Sequence, residues 1–77
     1  MVTMKVKGGD LMNVDVMGKK LRELRGNLPI DTVASAVGVS KSSLAMYERG
    51  ERIPRDKVKV SLAKFYGKSV EFIFFSQ

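Results

Sequence analysis

Apolar residues recur at intervals of three and four along most of the chain, a spacing that predicts helices. The first stripe predicts a helix over residues 14–25, with Asn13 positioned to cap its first amides and Gly26 to end it. The apolar residues of this stripe are Val14, Met17, Leu21 and Leu24. Polar and charged side chains fill the other faces, so this helix is expected to pack on one side only.

Two shorter helices are predicted on either side of a Gly38-Val39-Ser40 junction. The second helix begins after Pro29, which suits the first turn of a helix, and ends at Gly38. The third helix covers residues 41–49 and has Ser40 as its cap. The inward-facing residues are predicted to be Ile30, Val33, Ala34 and Val37 in the second helix and Leu44 and Tyr47 in the third.

The end of the chain predicts two further helices. Residues 55–66 alternate in part like a strand, but the length of the segment and its Ala63-Lys64 continuation favour a helix that ends at Gly67. Ser69 is positioned to cap a short final helix. The inward residues of that helix are predicted to be Val70, Ile73 and Phe74.

Residues 1–12 show only a weak pattern, in which Val2, Met4 and Val6 alternate with polar residues. This segment is expected to form either a short strand or a disordered basic arm. The predicted fold is therefore all-α, with an N-terminal arm over residues 1–12 and a five-helix domain over residues 13–77.

The junction between the second and third helices carries the strongest geometric prediction. Two helices of about eight residues joined by so short a turn cannot share an axis, and Gly38 can adopt the positive φ that turns the chain. The small side chain of Ala34 lets the two helices cross closely. In a helix-turn-helix the second helix enters the DNA major groove by its N-terminus, and polar residues suit that end. Here they are Lys41, Ser42 and Ser43.

The composition limits the chemistry that the chain can perform. Its 77 residues fit one small domain, and the absence of Cys and His excludes zinc sites, disulfides, thiol nucleophiles and histidine acid–base chemistry. We therefore expect no enzymatic activity, no cofactor and no metal. No apolar run reaches the ~18 residues of a membrane span, and we expect a cytoplasmic protein.

The charge of the chain points to a polyanionic partner. Lys and Arg outnumber Asp and Glu by 14 to 8, which gives a net charge of +6. Nucleic acid is the first candidate for such a partner and an acidic membrane the second. An ordinary well-solvated surface is the alternative explanation of the same charge.

Three stretches of the chain, GKKLRELR, VASAVGVSKSSLAMYERGERIP and LAKFYGKSVEFIF, resemble the lambda-repressor-like, Cro/C1-type (XRE) family of helix-turn-helix proteins. The resemblance runs from about Met17 to Phe74, and its most specific part is GVSKSSLAMYERGERIP. It implies five helices and sequence-specific binding to double-stranded DNA, usually by dimers that act as repressors or other transcription regulators.

The resemblance also implies roles for individual residues. Four residues occupy groove-facing positions at which they would contact base edges: Lys41, Ser42, Ala45 and Met46. Five residues would contact the sugar-phosphate backbone: Ser40, Ser43, Arg49, Arg52 and Arg55. The structural alternatives are a purely capping role for Ser40, core packing for Met46 and an ordinary charged loop for the arginines.

Glu48 matches an acidic residue that, in the family, pairs with an arginine of the first helix. The resemblance therefore implies a structural ion pair between Glu48 and either Arg25 or Arg22. Such a pair would hold the third helix in position and aim a guanidinium group at the DNA backbone.

The chain departs from the family pattern at several places. Pro29-Ile30 stands where the family usually has Ser/Thr-Gln, so a side-chain contact to phosphate is lost there. Lys59 stands where the family usually buries a leucine. We expect Val58 and Val60 to repack around this lysine, or the fourth helix to rotate slightly.

The C-terminal EFIFF segment has more large apolar side chains than one helix face can bury. Phe72 and Phe75 are predicted to project outward and to form part of a homodimer interface. Such a dimer would place two recognition helices ~34 Å apart, one turn of DNA. The alternative is that Phe75 folds back onto the domain or onto the N-terminal segment.

Together these observations predict a small DNA-binding transcription regulator, a phage- or mobile-element-type repressor that binds double-stranded DNA as a homodimer. Two other functions use the same fold. One is the antitoxin of a toxin–antitoxin pair, with the phenylalanine-rich end as its docking surface. The other is a protein-interaction adaptor that no longer binds DNA.

Overall fold

The structure, a computed structural model, describes residues 13–75, and all regular secondary structure in this part of the chain is helical. This confirms the predicted all-α fold with five helices. The helices are α1 (Val14–Arg25), α2 (Ile30–Val37), α3 (Lys41–Glu48), α4 (Asp56–Tyr66) and a short α5 (Glu71–Phe75). The N-terminal arm predicted over residues 1–12 lies outside the described residues.

Short polar side chains and glycine mark several of the helix ends. Asn13 Oδ1 accepts hydrogen bonds from the backbone N–H groups of Asp15 and Val16, at 3.0 and 3.2 Å. At the other end of α1, Gly26 has a φ of 54°. The prediction for α3 was one residue too long, because Arg49 has left the helix and serves as its C-terminal cap.

The short α5 has the wider turns of a π-helix. Ser69 caps it as predicted, since its Oγ accepts a hydrogen bond of 3.0 Å from the Phe72 N–H. Ile73 and Phe74 of this helix are buried, whereas Phe72 and Phe75 are exposed.

The hydrophobic core of residues 13–75 lies where α1 packs against α3 and α5 and where α2 packs against α3 and α4. Its small members, Ala34 and Ala63, are almost fully buried, which allows the helices to approach closely. The core residues are Met17, Leu21, Val33, Ala34, Val37, Leu44, Tyr47, Leu62, Ala63, Ile73 and Phe74.

Gly18 brings the backbones of α1 and α3 into direct contact. A Cβ atom at this position would overlap the carbonyl oxygen of Glu48 and lie 3.1 Å from the backbone nitrogen of Gly50. Gly50 itself has a φ of +73° and approaches the carbonyl of Val14. The end of α3 therefore contacts α1 through main-chain atoms, with no side chain between them at Gly18.

Lys59 is accommodated in part as the sequence predicted, because Val58 packs against the core. The expectation that Val60 repacks was wrong, because Val60 is 45% exposed. Instead the Lys59 stem is largely buried, and its Nζ lies 5.9 and 5.3 Å from the ring centres of Phe74 and Phe75 and 3.5 Å from a carboxylate oxygen of Asp56. A long lysine can cover apolar surface while its ammonium group sits over aromatic rings.

The hydroxyl of Tyr66 is buried and has no hydrogen-bond partner among residues 13–75. Burial raises the pKa of Tyr66 to about 12, with a smaller contribution from the nearby Glu48 carboxylate and an opposing one from Arg25. Below pH ~10, the ordinary tyrosine pKa, the side chain is neutral in both the folded and the unfolded state. Above it, only the unfolded state releases the proton, so stability falls as the pH rises toward 12.

We therefore expect Tyr66→Phe to unfold at the same or a higher urea concentration than the parent protein near neutral pH, with a gain of up to about 1 kcal/mol, because it removes an unpaired hydroxyl. The gain should grow between pH 10 and 12, where only the parent carries the tyrosine. Urea unfolding of both proteins over this pH range measures the difference. An equal alkaline decline in the two proteins would contradict the assignment.

None of the helices within residues 13–75 has both the length and the apolar character needed to cross a membrane.

Candidate nucleic-acid interface

α3 presents one face to the core and its first turn to solvent. Leu44 and Tyr47 are 0% and 5% exposed and anchor the helix from within. On the opposite side, Lys41 and Ser42 are exposed, and no other described part of the chain covers them. Ala45 and Met46 are half-buried at the edge of this outward face.

The hydroxyl of Ser40 is engaged in capping α3. Its Oγ accepts a hydrogen bond of 3.0 Å from the Ser43 N–H and donates one of 3.0 Å to the Ser43 Oγ. The two serines therefore form a local pair that fixes the start of the helix. The Ser43 hydroxyl keeps a hydrogen that it can donate outward.

A groove of about 220 Å³ runs between the start of α3 and the segment that leads into α4. It brings together four of the five residues that the sequence placed on the DNA backbone: Ser40, Ser43, Arg52 and Arg55. The walls are completed by Val39, Tyr47, Ile53 and Val58. Arg52 and Arg55 are exposed and form no ion pair with another residue of the described range, so the groove is lined by two positive charges and no carboxylate.

Arg49, the fifth of these residues, lies elsewhere. It lines a separate open cleft of about 500 Å³ between the end of α3 and the start of α1, beside Lys19 and Asp15. Its guanidinium donates two hydrogen bonds of 3.0 Å to the Glu51 carboxylate. These bonds raise the pKa of Arg49 and lower the pKa of Glu51. The charge of Arg49 is thus already paired within the protein.

Glu48 pairs with Arg25, one of the two arginines that the sequence suggested. Arg25 Nε and Nη2 donate to the two carboxylate oxygens at 2.7 and 3.0 Å, and Arg25 Nη1 donates to the Leu28 carbonyl at 2.9 Å. The hydrogen bond to Glu48 raises the pKa of Arg25. The side chains are only 15% and 7% exposed, so this pair ties the end of α3 to α1 and to the turn before α2. Arg22 is exposed and takes no part.

Lys41 has an ion-pair partner that the sequence did not suggest. Its Nζ lies 3.5 Å from a carboxylate oxygen of Asp31, in the first turn of α2. The two residues are ten positions apart on different helices, and helical periodicity does not relate such positions. Only the crossing of α2 and α3 brings them together.

The outward side of α5 combines exposed phenylalanines with lysines. Phe72 and Phe75, which we call the aromatic patch, are each 43% exposed. Lys20 Nζ lies 4.6 Å and Lys68 Nζ 5.4 Å from the centre of the Phe72 ring, and Lys20 also donates to the Phe72 carbonyl at 2.8 Å. Both phenylalanines are exposed, as the sequence predicted, whereas Ile73 is buried.

Comparison with known proteins identifies this architecture. A helix-turn-helix family (HTH_3) matches residues 19–73. The cryptic phage CTXphi transcriptional repressor RstR of Vibrio cholerae is 37% identical over 54 residues, which span 68% of this chain and 49% of that repressor. The uncharacterised HTH-type transcriptional regulator MJ0272 of Methanocaldococcus jannaschii is 35% identical over 60 residues, which span 75% of this chain and 91% of that protein.

Solved structures share the fold. The P22 c2 repressor, solved in complex with a synthetic operator, superposes with a TM-score of 0.72 at 27% identity and covers 75% of this chain and 91% of its own. The restriction-modification controller protein C.AhdI of Aeromonas hydrophila gives a TM-score of 0.72 at 28% identity, covering 79% and 96%. This chain thus belongs to the XRE-type helix-turn-helix (HTH_3) family of DNA-binding transcription regulators.

Proposed function

We propose that this protein is a cytoplasmic, sequence-specific repressor of the phage or mobile-element type, which binds double-stranded DNA as a homodimer. The observation that carries the proposal is the exposed polar first turn of α3 beside a groove lined by Arg52 and Arg55. This arrangement supports a role in which the tip of α3 would read bases and the adjacent arginines would bind phosphates. By covering its operator, the bound protein would block transcription.

Residues on the outward face of α3 would contact base edges. Lys41 can donate to guanine O6 and N7, and Ser42 can hydrogen-bond to any base. Ala45 and Met46 can contact a thymine methyl group, because their half-buried side chains still present apolar atoms at the surface. The capping hydrogen bonds of Ser40 and Ser43 would keep this tip rigid while it enters the groove.

The positive groove would hold the sugar-phosphate backbone. Arg52 and Arg55 are free of ion pairs within residues 13–75 and can each neutralise a phosphate. Arg49, which the sequence also placed on the backbone, is expected to contribute less, because its hydrogen bonds to Glu51 must be broken or shared first.

The homodimer would form through the aromatic patch. Exposed phenylalanines on a short C-terminal helix offer apolar area that a second copy can bury. A two-fold axis through this patch would present two α3 helices to successive major grooves, ~34 Å apart.

Selection of bound sites from a random duplex library tests the proposal directly. We expect a two-fold symmetric site with half-sites one helical turn apart, bound with an affinity that falls steeply as salt rises. Arg52→Gln should reduce the slope of log affinity against log salt by ~0.9, the value for one phosphate contact. Arg49→Gln carries the same charge change and serves as the matched control, with a smaller reduction. Absence of salt-dependent binding to any duplex would contradict the proposed function.

A further inference from the structure

The ion pair between Lys41 and Asp31 lies at the tip that is proposed to enter the major groove. The carboxylate of Asp31 approaches Lys41 Nζ to 3.5 Å, and the two side chains are 72% and 63% exposed. So exposed a pair adds little to folding, about 0–1 kcal/mol. Because the pair would lie beside DNA in the proposed complex, however, the Asp31 carboxylate would also affect DNA binding.

A carboxylate at a DNA-binding surface opposes binding unless a cation accompanies it. Lys41 carries three donors and can hydrogen-bond to guanine O6 or N7 while it keeps its contact with Asp31. Where no guanine is offered, Lys41 would turn to the nearest phosphate instead. That movement would leave Asp31 unpaired next to the DNA backbone, at a cost that the cognate complex avoids.

We propose that Asp31 is a specificity-determining residue of this protein, which holds Lys41 over the base edges and penalises binding to non-cognate DNA. The inference rests on the proposed function. Specificity is a difference between two affinities, and a repulsive group that acts only in the wrong complex increases it. The Asp31 carboxylate makes no hydrogen bond to the rest of the described chain, so replacing it with an amide breaks none.

The test compares Asp31→Asn with the parent protein on the selected operator and on a random duplex of equal length. We expect affinity for the random duplex to rise about 3- to 10-fold, with a salt slope steeper by up to ~0.9 as Lys41 becomes available to a phosphate. Affinity for the operator should change less than about twofold, so the ratio of the two affinities falls by nearly the same 3- to 10-fold.

Glu23→Gln is the matched control, because it removes one negative charge from the exposed face of α1, where Glu23 forms no ion pair within residues 13–75. It should alter both affinities equally and leave their ratio unchanged. In a Lys41→Met background, Asp31→Asn should no longer change the ratio, since the two residues act as a pair.

The outcomes separate the two levels of the proposal. If the parent protein binds its operator but Asp31→Asn raises both affinities by one factor, or lowers operator affinity, the role of Asp31 is overturned and DNA binding stands. If the parent protein shows no salt-dependent binding to duplex DNA, the proposed function itself is overturned.

Discussion

Replacing Gly18 with alanine is expected to lower the free energy of unfolding by about 2–3 kcal/mol, the cost of an overpacked contact. In an exposed helix interior the same change would stabilise by about 1 kcal/mol, because alanine is the better helix former. At Gly18 the change is expected to destabilise instead, because the new methyl group meets the backbone of Glu48 and Gly50, which cannot rotate away as a side chain would. α1 must therefore separate from the end of α3. Urea unfolding measures the loss directly.

Gly67→Ala is the matched control for this prediction. Gly67 ends α4 with a φ of +68°, and no atom lies within 4 Å of a Cβ built there. Alanine at that position should cost only the left-handed conformation, about 1 kcal/mol, and should leave operator binding intact. Gly18→Ala should also weaken operator binding, because it displaces α3. A Gly18→Ala protein as stable as the parent would disprove the close main-chain contact.

Replacing Phe72 with glutamate is expected to convert the proposed dimer into a monomer and to reduce operator affinity by about 10²- to 10⁴-fold, the contribution of linking two binding sites. The fold should survive, because Phe72 is 43% exposed and a carboxylate there would meet Lys20 and Lys68, whose Nζ atoms surround the ring. Sedimentation measures the oligomeric state, and gel shifts on the two-half-site operator measure the affinity.

Val60→Glu controls for the added negative charge and the lost apolar surface. Val60 is 45% exposed on α4, outside the aromatic patch. This variant should remain dimeric and keep nearly full operator affinity. A parent protein that sediments as a monomer at high concentration, both with and without DNA, would refute the dimer, whatever the behaviour of the variants.

Helical periodicity and capping chemistry were sufficient to predict the helices from the sequence. The bounds of α1 were predicted to the residue, since Asn13 and Gly26 mark its ends in the sequence itself. The predicted bounds of α3 and α4 each differ from the observed ones by one residue. Arg49 and Arg55 are the cap residues there, and arginine is not a residue type from which a cap is predicted. Helix bounds depend mainly on residues that are neighbours in the sequence, and they can therefore be predicted from it.

The pairings between helices were harder to predict, because they depend on the angles at which helices cross. The sequence favoured Arg25 as the partner of Glu48 and left Arg22 as an alternative, and only the packing of α1 on α3 distinguishes them. No local sequence pattern predicts the contact between Asp31 and Lys41, because it joins two different helices. The close contact at Gly18 is the one that the sequence could have indicated, since an isolated glycine within a helical pattern usually has a packing reason.

The main-chain contact between α1 and the end of α3 has a consequence for the evolution of this protein's sequence. Leu44 and Tyr47 supply the buried side chains of α3, and Gly18 supplies the fit of its far end. The outward residues that would choose the target sequence lie outside this anchorage. Lys41 and Ser42, the exposed residues of this set, can therefore be exchanged with little effect on the core, so that new target preferences can arise, or be engineered, on the same scaffold.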